Sequence, residues 1–501
     1  MQNLPEKLYK VESVVKLEQI AINQFAIPGY ELMKRAGMAV YQVLDSNYTR
    51  DNKILVLCGA GNNAGDGYVV AKLASENGFE VRVISLIDPE ALKAEASLAY
   101  QDWLDVGHIS EPELAFIEQA DIIVDALLGT GLTRDVSGRW AEWITAVNRS
   151  SRPVIAVDVP SGLIADTGSI AGVAIRADTT VCFIGLKQGM FTAQANDVCG
   201  EIMFNDLDLH ADVYRQVTAD AVLLRTVDYS LLSKRKASSN KGNFGHVLIV
   251  GGNTGMPGAV ILAARAALRA GAGLVTVVTV ADNLAAVCSA VPEAMVRSCQ
   301  AGSISGVLTE QLVNSVTHVA IGVGLGQDDW SLSLLCHCIE LNKTMLVDAD
   351  ALNLMAKHGL KVHSPLVITP HPGEAARLLS AKTTFSSADV QRDRFDAVNK
   401  LYDMFAVNDA CTVILKGSGT LIFDGKTLKI CSLGSAAMAA PGMGDVLSGI
   451  VVALMAQGIN ISDAGELAVC LHASAAMLMV GEKTRGLLAS DVIDALPEVL
   501  L

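Results

Sequence analysis

Apolar and polar positions fall into blocks along this chain, and the blocks change period. Residues 12–45 carry apolar positions at helical spacing, clearest in Glu31-Leu32-Met33-Lys34-Arg35-Ala36-Gly37, where Gly37 allows a close helix contact. Lys53-Ile54-Leu55-Val56-Leu57-Cys58 is then a short unbroken apolar run, the mark of a strand buried on both faces. Similar runs recur at 80–87, 121–127, 153–157 and 180–184, with helical stretches between several of them. A second series occupies 246–250, 273–280, 318–322, 344–348, 366–369 and 412–415. It includes an Ala-rich helix reaching Ala270 and an apolar helix over 446–457. Such alternation predicts an α/β fold, with helices wrapped round a parallel sheet in each half.

Length and composition narrow the picture. A chain of 501 residues exceeds one ordinary core. The pattern turns polar over 206–228 and basic and loop-like over 233–242, so the domains are expected to span 1–220 and 225–501. The basic run reads as a solvated linker, the alternative being a phosphate contact by Lys241 ahead of the glycine-rich turn. A net charge of −15 argues against non-specific binding of nucleic acid or an anionic membrane. The N-terminus lacks a signal peptide's regions and no spanning helix is expected, so the protein is read as cytoplasmic. Ten scattered cysteines are expected to be free thiols, and Cys336-His337-Cys338 lacks the second pair a zinc site needs. The apolar composition leaves room for a homo-oligomer.

Loops at strand ends carry the candidate chemistry of the first half. Gly59-Ala60-Gly61-Asn62-Asn63-Ala64-Gly65-Asp66-Gly67 follows the first strand. It suggests a dinucleotide turn, with Asp88 near the next strand's end, but Asp66 would place negative charge where a pyrophosphate rests. Asp125, in Asp125-Ala126-Leu127-Leu128-Gly129-Thr130-Gly131-Leu132-Thr133-Arg134-Asp135, ends another strand, and Asp158-Val159-Pro160-Ser161-Gly162 follows a third. Asn63, Asp125, Asp158 and Ser161 are thus either loop caps or an oxygen set suited to a hard cation. These three motifs resemble the YjeF N-terminal domain, the NAD(P)HX epimerase family, over residues 10–215. Ala64 stands where that family usually has Gly. The resemblance implies a Rossmann-like domain in which Asn62 to Asp66, Gly129 to Asp135 and Asp158 hold the hydrated nucleotide, NADHX or NADPHX. It also implies a potassium ion on Asn63, Asp125 and Ser161. Asp158 is the expected acid–base residue, because exchanging epimers at the hydrated carbon needs proton transfer.

In the second half, Ala440-Pro441-Gly442-Met443-Gly444-Asp445 opens the apolar helix over 446–457. Bare glycines and unpaired helix N–H groups make a seat for phosphate. Asp445 beside it is either a helix cap or the base that deprotonates a hydroxyl attacking that phosphate. Asp348-Ala349-Asp350 ends a strand, and a helix cap is the simpler reading of it than a magnesium site. Thr369-Pro370-His371-Pro372-Gly373-Glu374 ends another, with His371 either substrate-binding or a structural turn. Leu415-Lys416-Gly417-Ser418-Gly419-Thr420 is a strand and glycine turn with a ready cation. Over 225–500 this set is similar to the ribokinase-like YjeF C-terminal domain, the ADP- or ATP-dependent NAD(P)H-hydrate dehydratases. The resemblance implies that Lys416, Gly417, Ser418, Gly419, Thr420, Ser435, Met438, Gly442, Met443 and Gly444 contact ADP with its magnesium ion. Ala259, Gly324, His371, Pro372, Gly373, Glu374, Arg377 and Asp445 would contact the hydrate. The chain departs from that family at 435–441, where Ala440 and Pro441 replace a usual Ser/Thr-Gly. The activity implied is exchange of R and S forms of NAD(P)HX, with dehydration of the S form as ADP becomes AMP and phosphate. The rivals are a small-molecule kinase with a regulatory N-terminal domain, and a ligand sensor without turnover.

Overall fold

The computed structural model describes residues 4–300, 304–380, 384–407 and 410–500. The chain divides into two compact units, residues 1–222 and 223–501.

The first unit is built on a seven-stranded sheet. Its strands are β1 (Lys53–Cys58), β2 (Glu80–Ser85), β3 (Ile109–Ser110), β4 (Ile122–Ala126), β5 (Val154–Val157), β6 (Thr179–Phe183) and β7 (Glu201–Asn205). They lie in the order β3-β2-β1-β4-β5-β6-β7, every pair parallel. The period of two along a strand splits β1 between two cores. Ile54, Val56 and Cys58 pack on one face with helices α1 (Val11–Gln24), α2 (Gly29–Asn47) and α3 (Asn62–Glu76). Leu55 and Leu57 pack on the other with Trp143, Ile144 and Val147 of α4 (Gly138–Ser150). Gly37 does bring two helices close: a Cβ there would stand 2.4 Å from Val69 Cγ1 of α3. Strand order reverses between β1 and β4, where the crevice of an open parallel sheet takes its ligand. A short strand, Lys7–Tyr9, pairs with Leu186–Lys187 and fixes Lys187 opposite Tyr9.

The second unit has strands β8 (His246–Val250), β9 (Leu274–Thr279), β10 (Met295–Ser298), β11 (His318–Ile321), β12 (Thr344–Val347), β13 (Leu366–Ile368), β14 (Cys411–Leu415), β15 (Thr420–Phe423) and β16 (Leu428–Cys431). Their order is β10-β9-β8-β11-β12-β13-β14-β15-β16. The pairs from β10 to β14 are parallel, and β15 and β16 add antiparallel strands. The α/β expectation and its parallel sheets hold. The apolar helix expected over 446–457 starts earlier than the pattern suggested, as α9 (Met443–Ala456), with Gly442 at its N-cap at φ +85°. That puts Asp445 inside the first turn. Apolar on every side, α9 is buried throughout from Val446 to Ala456. Gly449 lets it approach α5 (Pro257–Arg269) until a Cβ would stand 2.3 Å from Ala263 O. Helix α10 (Ile461–Val480) is long and apolar enough to cross a membrane, and 67% of its apolar window is buried inside the protein. All ten cysteines are free, as expected.

Candidate functional site

In the first unit, the loops after β1 and β4 touch at the sheet's switch point. A Cβ on Gly59 would fall 1.8 Å from Leu127 O, so only glycine fits. A cavity of about 660 Å³ opens beside them, lined in part by Asn62, Asn63, Asp66, Gly129 to Arg134 and Asp158. Three expected residues lie outside its lining. Ala64 is fully buried, Gly65 packs where a Cβ would stand 2.6 Å from Met33 Sδ, and Asp135 follows the lining loop.

Asp158 adopts φ +66°, a strained backbone for a residue with a Cβ, and such strain gathers at functional sites. Its carboxylate accepts from Phe183 N at 3.2 Å and forms an ion pair with Lys187. Lys187 also donates to Phe183 O at 3.1 Å, and it is 1% exposed. Burial opposes its charge, but Asp158 and Cys182 outweigh that and hold the ammonium above its usual range. Burial, with Asp158 and Glu18 nearby, pushes the Asp66 carboxyl well above the carboxylate range. Burial and Glu95 raise Glu18 as well. The cavity therefore holds an ion pair next to two carboxyls whose pKa is raised. Lys187 and Glu18 line it and carry no motif. Each is placed by strand or helix packing, so residue spacing gave no sign of them.

Asp125 and Ser161 do come together. Ser161 N and Oγ donate to the two Asp125 oxygens at 2.8 and 2.6 Å, and Leu127 N adds a bond at 3.2 Å. Asp125 is wholly buried, which lifts its carboxyl to about 6 against those three bonds. Asn63 is buried against Gly129, and its amide nitrogen has no hydrogen-bond partner. A cation would offset the buried Asp125 charge, and an amide turned to present its oxygen would join the ligands.

In the second unit the organising group is Asp348, just past β12 and 1% exposed. It caps α6 (Ala349–His358) by accepting from Ala349 N at 2.8 Å, as the simpler reading held. It also binds Lys416 Nζ at 2.7 Å and Ser448 Oγ at 2.7 Å. Those partners come from beyond β14 and from α9. Lys416 is thereby pinned under the mouth of α9, 3.3 Å from where a Gly444 Cβ would stand. Asp445 follows at once. Burial, then Asp348, raise its carboxyl to about 7 against the pull of Lys416. A carboxylate that ionises near neutrality, beside an ammonium and open helix N–H groups, is suited to take a proton next to a phosphate.

The other expected residues connect to this centre through α6 and α7 (Pro372–Leu379). His371 caps α7: its Nδ1 accepts from Gly373 N at 2.9 Å, and its backbone N donates to Glu374 at 2.8 Å. The imidazole is half exposed, and burial with Lys416 nearby lowers its pKa. The structural turn and the open ligand position coexist. Arg377 donates to Asn353 of α6 at 2.6 Å. Ala259 and Gly324 meet, since a Cβ on Gly324 would stand 2.8 Å from the Ala259 Cβ. Gly326 N then bonds Asp350 of α6 at 2.9 Å. Ser435 caps one short turn, Ala436–Met438, before the chain enters α9. Pro441 is exposed and outside the helix, so it removes no helical hydrogen bond.

Two family models match this chain. Residues 247–498 match one described as NAD(P)H-hydrate dehydratase, and 29–189 match the YjeF-related protein N-terminus. The bifunctional NAD(P)H-hydrate repair enzyme Nnr of Vibrio cholerae is 40% identical over 503 residues, 99% of each chain. Its counterpart in Escherichia coli K12 is 40% identical over 501 residues, 99% of this chain and 95% of that one. Among solved structures, the ADP/ATP-dependent NAD(P)H-hydrate dehydratase of Bacillus subtilis, co-crystallised with ATP and Mg2+, is 28% identical. It covers 54% of this chain and 93% of its own, with a TM-score of 0.48.

Proposed function

This chain belongs to the family of bifunctional NAD(P)H-hydrate repair enzymes, and from that membership we propose how its residues divide the work. The protein is an NAD(P)H-hydrate epimerase joined to an ADP/ATP-dependent dehydratase.

The first unit exchanges the R and S hydrates. The nicotinamide end of NADHX or NADPHX enters the cavity between Asn62–Asn63 and Gly129–Arg134. Asp158 moves the proton, with Lys187 holding its carboxylate in place. Potassium suits Asn63, Asp125 and Ser161, an all-oxygen set round a buried carboxylate, and it would steady the two strand-end loops by offsetting that charge.

The second unit dehydrates the S form. Hydroxide leaves carbon poorly, whereas phosphate leaves well. Asp445 takes the hydroxyl proton as the hydroxyl oxygen attacks the terminal phosphoryl of ADP. AMP departs, and the ring nitrogen's electrons expel phosphate to leave an iminium ion. The neighbouring ring carbon loses a proton to the released phosphate to form the ring double bond, so hydrate and ADP become NAD(P)H, AMP and phosphate. Lys416 and the N–H groups of Met443 and Gly444 receive the phosphoryl charge. Magnesium comes with the nucleotide: among the described residues no cluster of His, Cys, Asp or Glu could hold it alone. The observation that carries this reading is the Asp348–Lys416–Ser448 triangle, which places an ammonium and Asp445 at one helix mouth. Recovery of NADH absorbance from hydrated NADH and ADP tests it. Asp445→Asn is expected to abolish recovery while R–S exchange continues; recovery at the wild-type rate would refute the role.

A further inference from the structure

Arg394 opens helix α8 (Arg394–Phe405) and is among the largest side chains with no exposure at all. Its guanidinium lies against the turn between β14 and β15. Nη2 donates to Leu415 O at 3.0 Å and to Lys416 O and Gly419 O at 3.4 Å. Nη1 donates to Lys416 O at 3.4 Å and to Gln391 Oε1 at 3.0 Å. Gly417 crosses directly over it at φ +138°, where an added Cβ would stand 2.7 Å from Nη1. Burial lowers the guanidinium to about 10, so it remains charged at neutral pH.

The consequence lies on the turn's other side. In a trans peptide the N–H points opposite to the C=O. With the Lys416 carbonyl drawn onto Arg394, the Gly417 N–H faces away from it, outward from the turn. The Lys416 backbone is fixed from both directions, because its own N–H donates to Pro370 O at 2.9 Å. Its side chain is then free to reach Asp348. A flat guanidinium fork serves these three carbonyls and Gln391 from two nitrogens fixed in one plane, whereas an ammonium offers three donors from a single point on a flexible stem.

We propose that Arg394 is a positioning residue for the phosphate end of the adenine nucleotide, setting the shape of the Lys416–Thr420 turn from behind without touching the ligand. This rests on the reading that the turn holds the nucleotide. The test uses the full chain, with ADP as the varied substrate, thermal melting as the control on folding and R–S exchange as the control on the first unit. Arg394→Lys is expected to raise KM for ADP about tenfold or more, with kcat within threefold and exchange unchanged. Gly417→Ala, which disturbs the same contact from the turn side, should do likewise, and the double variant should be little worse than the more severe single one. KM within twofold of wild type in Arg394→Lys, a loss confined to kcat, or two effects that multiply would overturn the proposal. If Arg394→Lys loses exchange as well and does not fold, Gly417→Ala decides by the same KM criterion. Wild-type protein without ADP-dependent dehydration would instead defeat the reading of the turn.

Discussion

Asp158 of the first unit and Asp445 of the second both stand beyond the carboxyl ends of parallel strands, yet their surroundings treat them differently. Asp158 is locked to a buried lysine, on a strained backbone, beside acids whose pKa is raised. Among the described residues Asp445 has no such lock. The lysine nearest to it is already held by Asp348, and Ser448 takes the other Asp348 oxygen. Its carboxyl is therefore left to titrate near 7. A parallel sheet supplies only the crevice. Which neighbours are already paired decides how a carboxylate there is held: Asp158 by an ion pair with Lys187, Asp445 by burial beside a lysine that Asp348 has already taken.

The sharpest break is reciprocal inactivation. Asp445→Asn should lower dehydration at least 1000-fold, in line with losing a base that no neighbour replaces. Asp158→Ala should lower R–S exchange by about 100-fold or more while dehydration of pure S hydrate persists. Exchange followed by chromatography of the two epimers measures the second. Unchanged exchange would move the proton transfer to another group, with Glu18 or Asp66 next in reach.

Lys187→Met tests the lock itself. It leaves Asp158 partly buried without its partner, a loss of about 3–5 kcal/mol when a buried pair is broken from one side. The first unit should melt earlier and exchange should fall together with it. A variant that melts like wild type would show the pair to be dispensable for the fold.

The pH profiles are a smaller contrast. Asp445 must be ionised to accept a proton and its carboxyl is raised to about 7, so the dehydration rate should climb about tenfold per pH unit below 7 and level off above it. A flat profile from pH 5 to 8 would mean that Asp445 is not the base.

These contrasts also separate what residue order disclosed from what it hid. The α/β fold was legible because apolar runs such as 53–58 end in glycine-rich loops. Short edge pieces escaped notice: β3 has two residues, both half-buried, and β7 lies where the pattern turns polar. The convergence of Asn63, Asp125, Asp158 and Ser161 was legible only in part, as all lie at strand ends. The direct Asp125–Ser161 bonds confirm one pair. Asp348 could be read as a cap and nothing more, because its partners Lys416 and Ser448 are 68 and 100 residues away. Lys187 escaped for the same reason, since Asp158 is 29 residues upstream and no spacing rule joins them.

The smallest expected effect concerns Pro441, where the chain departs from the family it resembles. A proline within the phosphate seat would remove a donor that anions need. Here it is exposed, one residue before the N-cap, and Gly442 with φ +85° makes the turn into α9. The open N–H groups of the first helical turn begin after it. Pro441→Gly should therefore change KM for ADP by no more than about threefold. It should cost about 1 kcal/mol of stability, because glycine widens the unfolded ensemble that proline restricts. Titration of ADP and thermal melting of the same variant read the two effects separately. A tenfold tighter KM would mean that the missing N–H had been limiting, and that the entry to α9, rather than the Asp348–Lys416 anchor alone, sets how the second unit grips phosphate.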